Sequence, residues 1–330
     1  ATEDASPANG DSYAPAISAD GQYVAFQSQA SNLVSGDANG KADVFVRDVQ
    51  TGQTALVSVN LSESAANGAS DAPSISADGR YVAFQSDASD LVDGDANGKT
   101  DIFIRDLTAR TTTRISVSIA GEGADGNSFL PVLSSEARFV TFQSSAANLV
   151  ENDTNNTTDV FVHDRQTGAT TRVSVASDGS QGNAPSFAPA SINESGIVVF
   201  ASDASNLVNG DTNATTDIFV HHLAAGTTSL ISAGTGGSPA NGFSFFPVLS
   251  ADSRWVVFFS GASNLVDGDA NNQSDIFLYE TGFDVTPPTV VSITRAGASP
   301  SNAGSVSFTL TFSEAVTGVD ADDFTLMAEG

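Results

Sequence analysis

Apolar residues fall along most of this chain in short runs rich in Val, Ile, Phe and Tyr, each bounded by Gly, Asp, Asn or Ser. Runs of that length and composition predict strands, and no window keeps the 3.6-residue period of a helix. In the first stretch the predicted strands are Pro15–Ser18, Tyr23–Ser28, Asp43–Arg47 and Thr54–Val59. Asp20-Gly21 supplies the turn between the first two, and Thr51-Gly52 the turn between the last two.

The pattern then recurs every 58 residues. The motif D-x-N-x-x-x-D begins at Asp37, Asp95, Asp153, Asp211 and Asp269. The same period carries Pro15, Pro73, Pro131, Pro189 and Pro247, and Phe26, Phe84, Phe142, Phe200 and Phe258. Five tandem copies without an insertion follow from this. Four strands per copy are what one propeller blade needs, so the predicted fold is all-β: a β-propeller of five four-stranded blades over residues 1–283. Val24, Phe26, Leu33, Val44 and Phe45, with their equivalents, are expected to fill the space between neighbouring sheets.

The fifth copy departs from the pattern. After Ile276, Phe277, Leu278 and Tyr279 the chain runs into TGFDVTPPT, so the last blade is expected to lack its outer strand. By the same period Ala1 aligns with Val59, and a strand supplied from upstream of Ala1 is expected to complete that blade and hide its edge. The chain begins at Ala1 without a methionine and stops at Gly330 in a strand-like run, which reads as part of a longer protein. Further copies upstream would give a ring of six or more blades.

The stretches ISADGQYVAF (Ile17–Phe26) and ISADGRYVAF (Ile75–Phe84), each followed by DVFVRD or DIFIRD, resemble the WD-like repeats of TolB-type bacterial propellers. Ala19 and Ala77 stand where those repeats usually carry proline, and the fourth copy reads INESGIVVF. The resemblance implies the fold but not the function, because such propellers serve as scaffolds, binders and enzyme accessory domains. Gly21 directly follows Asp20, which separates the motif from the sialidase aspartate box. From Pro287 the sequence resembles bacterial Ig-like modules of large surface and secreted proteins, with about half of such a sandwich in residues 284–330. The resemblance places the protein outside the bacterial cell or on its surface.

Acids outnumber bases 39 to 12, a formal charge of −27. That surplus repels a phosphate backbone, so nucleic acid is not the expected partner, and it suits solubility in a saline or calcium-rich setting. No apolar run reaches the length of a membrane-spanning helix, so no membrane insertion is expected. Cysteine is absent, which removes disulfides, thiolate metal sites and cysteine nucleophiles.

Two sets of residues are candidates for chemistry. The first is the loop between second and third strands. Asp37, Asn39 and Asp43 place oxygen donors at positions 1, 3 and 7 of a glycine-bearing turn; Asp95, Asn97 and Asp101, then Asp153, Asn155 and Asp159, hold the same positions. Asp211, Asn213 and Asp217 and Asp269, Asn271 and Asp275 complete the series. Oxygen ligands at that spacing point to structural Ca²⁺; the same residues also cap turns by accepting backbone N–H bonds, and both readings stand at this point. The second set comes from where copies differ at the start of the first strand: Tyr13, Asp71, Phe129, Phe187 and Phe245 share one repeat position. Aromatics beside a carboxylate suit a sugar or an apolar peptide side chain, and they also suit wedging between blades as core.

Catalysis has little behind it. His163, His221 and His222 end third strands, where solvated edge positions are expected, and no G-x-S-x-G elbow occurs. The sequence therefore predicts a non-enzymatic binding or scaffold module with a protein or glycan partner. An accessory propeller of an extracellular glycan- or peptide-processing enzyme is the alternative.

Overall fold

A computed structural model describes residues 6–283, 289–296, 307–313, 316 and 319. The chain divides into two compact units at Phe283/Asp284. The second unit contributes, among the described residues, one antiparallel hairpin of Val290–Ala296 and Ser307–Phe312. The described residues contain no helix, and so none long and apolar enough to cross a membrane.

The first unit is five antiparallel sheets in chain order, four of four strands and the last of three. In the first copy the strands are Ser12–Ile17, Tyr23–Ser28, Asp43–Asp48 and Thr54–Leu56, hydrogen-bonded in that order. The first strand starts earlier than its sequence signature, because Ser12 already pairs with Ser28 and Pro15 is carried on a bulge, where a missing N–H costs no ladder bond. The fourth strand ends sooner than predicted. Beyond Leu56 a bond to the third strand remains, Val57 N–H to the Val44 carbonyl at 2.8 Å; Ser58 Oγ then accepts the Val44 N–H and donates to Asp43, and Val59 bridges to Ala65 on the way to the next sheet.

Within each sheet the second and third strands carry a cross-strand phenylalanine pair, from Phe26–Phe45 at 5.8 Å to Phe258–Phe277 at 5.8 Å between ring centroids. Between sheets, small and β-branched residues of one copy receive these rings from the next. Ala25, Val44, Val46 and Val57 pack with Val82, Phe84, Leu91 and Phe103, and the same arrangement joins second to third, third to fourth and fourth to fifth. Close approach at the entry to four of the sheets is made at glycine, Gly10, Gly68, Gly126 and Gly242, while the fourth sheet has Ala184 there. A Cβ on Gly68 would lie 2.5 Å from the Ala88 nitrogen.

The series does not close on itself among the described residues. No core cluster joins the fifth sheet to the first, and the remaining cluster, around Ala30, Leu33 and Phe45, belongs to the first copy alone. Ile276 and Leu278, whose equivalents Ile218 and Val220 are buried, are 68% and 62% exposed. At the other end Val24 and Phe26 are only half-buried, whereas Val82 and Phe84 are fully buried. Among the described residues the outer face of the fifth sheet is therefore exposed, whereas that of the first is partly covered by its own loop at Ala30 and Leu33.

Candidate functional site

The first strands of consecutive sheets lie side by side, so the residues at their starts share one rim. Four of these strands are bent by the residue before the proline. Ala14, Ala72, Leu130 and Phe246 take φ between 47° and 55°, a left-handed conformation that L residues hold only under constraint. Part of the constraint comes from the preceding sheet. Ala72 N–H donates to Gln27 Oε1 at 3.3 Å, and Leu130 N–H to Gln85 Oε1 at 2.7 Å. Single-residue reading missed these glutamines, although Gln27, Gln85 and Gln143 recur with the 58-residue period.

The five candidate rim residues do not form one pocket. Tyr13 is exposed and donates its hydroxyl to Asp11 Oδ2 at 2.9 Å within its own copy. Phe187 and Phe245 pack against the core between the fourth and fifth sheets. Phe245 also meets Phe243 and Phe246 at ring separations of 5.8 and 6.0 Å, an aromatic group of which Phe246 is exposed. Asp71 and Phe129 are brought together. They line a cavity of about 120 Å³ with Gln85, Asp87 and Thr100. Burial pushes the Asp71 carboxyl up, the Gln85 hydrogen bond opposes this, and the nearby Asp87 charge adds to the rise. Thr100 Oγ1 donates to Asp87 at 2.6 Å, while Asp71 Oδ1 is buried without a hydrogen-bond partner.

In the loops the asparagine and second aspartate act as a pair. Asn39 Nδ2 donates to Asp43 Oδ2 at 2.7 Å and to the Ala66 carbonyl at 2.9 Å, while its Oδ1 accepts the Lys41 N–H at 2.8 Å. Asn97, Asn155 and Asn213 repeat the bond to Asp101, Asp159 and Asp217, and Asn271 to Asp275. The aspartate's other oxygen takes a serine hydroxyl, as Asp43 Oδ1 does from Ser58 at 2.6 Å. The loop is thus tied to the connection leading into the next sheet, and Asp43, Asp101, Asp159 and Asp217 are fully buried. Among the described residues no group of three or more His, Asp or Glu side chains is gathered for a metal ion.

The copies differ in what faces the two aspartates. Arg114 Nη1 lies 3.0 Å from Asp95 and 3.9 Å from Asp101. Arg172 Nη1 lies 2.8 Å from Asp153 and 3.8 Å from Asp159. In the first and fourth copies the same position holds Leu56 and Leu230. There, burial pushes Asp43 and Asp217 up to about 6 despite the serine and asparagine bonds, and the Asp37 and Asp211 charges add to it.

The histidines correct the sequence reading. His163 and His221 are buried, not solvated, because the next-to-last residue of the third strand points against the fourth. Each ring bonds a threonine there: Nδ1 of His163 lies 3.0 Å from Thr170 Oγ1, and Nδ1 of His221 lies 2.8 Å from Thr228 Oγ1. Arg47 and Arg105 occupy the equivalent places and donate to Thr54 and Thr112.

No family model matches this sequence, and no curated protein is similar to it. Among solved structures, the β-propeller domain of the Trilobed protease from Pyrococcus furiosus, described as having an open velcro topology, aligns with a TM-score of 0.50. The alignment covers 93% of this chain and 79% of that one at 12% identity. The fold is a β-propeller. TolB from Acinetobacter baumannii is similar at a TM-score of 0.44 and 16% identity, over 78% of this chain and 53% of that one. A putative TolB from Agrobacterium tumefaciens is similar at 0.45 and 16% identity, over 82% of this chain and 78% of that one. This propeller thus spans about half the length of the Acinetobacter protein, and the likeness is one of fold.

Proposed function

We propose that this propeller is a non-enzymatic binding module of a secreted or surface-attached bacterial multidomain protein, with a protein or glycan partner and with calcium among its blade loops. One observation carries the binding reading: Asp71, whose Oδ1 is buried without a partner, lines a small cavity together with Phe129. A buried acceptor without a donor is costly to the free protein, and a ligand hydroxyl or ammonium removes that cost on binding. The ring of Phe129 offers the apolar face on which a sugar or an aliphatic stem rests. A cavity of this size takes one protruding group, so the rest of the partner lies along the rim.

The extracellular setting is supported by the acidic surplus and by the Ig-like resemblance after Pro287. Against catalysis stands the use of the histidines: His163 and His221 are spent on threonines, and His222 accepts the Ala225 N–H.

Glycan and peptide arrays probed with the chain, followed by titration of the strongest binder against Asp71→Asn and Phe129→Ala, test this reading. At least tenfold weaker binding is expected from either variant with folding intact. An array without a binder, or unchanged affinity in both variants, overturns it.

A further inference from the structure

Asp211 in the fourth blade is only 8% exposed, and its Oδ1 has no hydrogen-bond partner. Its neighbour Asp217 is fully buried, with its two oxygens taken by Ser232 at 2.5 Å and Asn213 at 2.6 Å. Two carboxylates out of water and close together, one of them short of a donor, form a cluster that the protein alone leaves uncompensated. The neighbouring blade shows what compensates it. There Arg172 places a positively charged nitrogen between the equivalent Asp153 and Asp159, and Gln181 accepts from the same Nη1 at 3.3 Å. In the fourth blade the arginine is replaced by Leu230 and the glutamine by Pro239, so neither the cation nor its second acceptor is present.

We propose that the Asp211–Asp217 pair of the fourth blade binds one divalent cation, calcium by its all-oxygen chemistry, in the place a guanidinium fills one blade earlier. The assignment rests on the calcium part of the function proposed above and narrows it to a site where the fold supplies no cation of its own. Asp211 Oδ1 is the free ligand and Asp217 Oδ2 the second. The Asn213 amide is spent on Asp217, the Ala240 carbonyl and the Thr215 N–H. Calcium takes six to eight oxygens, so two carboxylates leave most positions to water and carbonyls. Binding therefore belongs near the sub-millimolar to millimolar range of extracellular calcium modules.

The logic yields its own control. Leu230→Arg copies the arrangement already built in the second and third blades, and so puts a guanidinium in the place of the ion. Calorimetric titration of the chelated chain with Ca²⁺, together with melting curves, compares the parent with Leu230→Arg and Asp211→Asn. One fewer bound ion is expected in each variant, and Leu230→Arg is expected to melt higher than the parent when calcium is removed. A parent that binds no calcium overturns this assignment and the calcium reading together. A parent that binds calcium while both variants bind as many ions leaves the calcium reading standing and overturns the assignment to this pair.

Discussion

The hydroxyl of Ser116 lies 2.5 Å from the buried carboxylate of Asp101, fifteen residues back along the chain. The same serine accepts the Ile102 N–H at 2.9 Å, so one side chain holds the exit of the fourth strand against the start of the third. Ser58–Asp43, Ser174–Asp159 and Ser232–Asp217 repeat the bond at 2.6, 2.6 and 2.5 Å. Replacing Ser116 by Ala leaves a buried carboxylate and a buried N–H each short of a partner, at a cost of about 2–3 kcal/mol. Urea unfolding measures this, and a loss below about 0.5 kcal/mol, the scale of an ordinary surface change, counts against the anchoring role.

The uncovered end face predicts a contrast between two isoleucines at the same repeat position. Ile218 is fully buried between the fourth and fifth blades, whereas Ile276 is 68% exposed on the outer face of the fifth. Ile218→Ala is expected to cost about 2–5 kcal/mol and Ile276→Ala about 0.5 kcal/mol or less. Equal costs, measured in dilute solution, would show that something covers Ile276.

Acid should act through His221. Burial pushes its pKa down to about 4, with the His222 charge adding to the effect, against an ordinary value of 6.5. The unfolded chain takes up this proton first on acidification. The stability due to the neutral ring is therefore whole above pH 6.5 and is lost as pH falls through about 4. A His221→Gln variant, which keeps a side-chain partner for Thr228, is expected to lose less melting temperature between these limits than the parent. Parallel pH profiles would refute the assignment.

The left-handed residues before the prolines predict a gain. Ala72 holds φ 48° with its side chain in a region that glycine enters freely. Ala72→Gly relieves that strain, while the greater freedom of glycine in the unfolded chain opposes it, and a net stabilisation of up to about 1 kcal/mol is expected. A clear destabilisation in equilibrium unfolding would mean that the bulge, held by Gln27, carries no strain.

Much of the fold is legible in the sequence. Short β-branched runs between Gly and Asp turns reach their strands through local forces, and a period of 58 shared by Pro, Phe and Asp identifies the copies. The strand ends were read less well. Ser12 joins a ladder through pairing with Ser28, and the fourth strand ends near Val57 because Ser58 Oγ takes the Val44 N–H; neither partner is local. The burial of the histidines is hidden in the sequence for a related reason. An alternating strand does not state which of its faces will be covered, and a fourth strand carrying Thr170 or Thr228 decided it.

The sequence by itself determined the all-β class, the five copies, the turns at glycines and the recurring loop aspartates, because each is set by neighbours a few residues apart or by repetition. Tertiary structure alone decided three things. It left Ile276 exposed and Val24 half-buried at the two ends of the series, joined Asp71 to Phe129 from the next blade, and set Arg114 and Arg172, but not Leu230, between paired carboxylates. Each depends on distances across sheets, where a period says which residues are equivalent and not what charge or surface they meet.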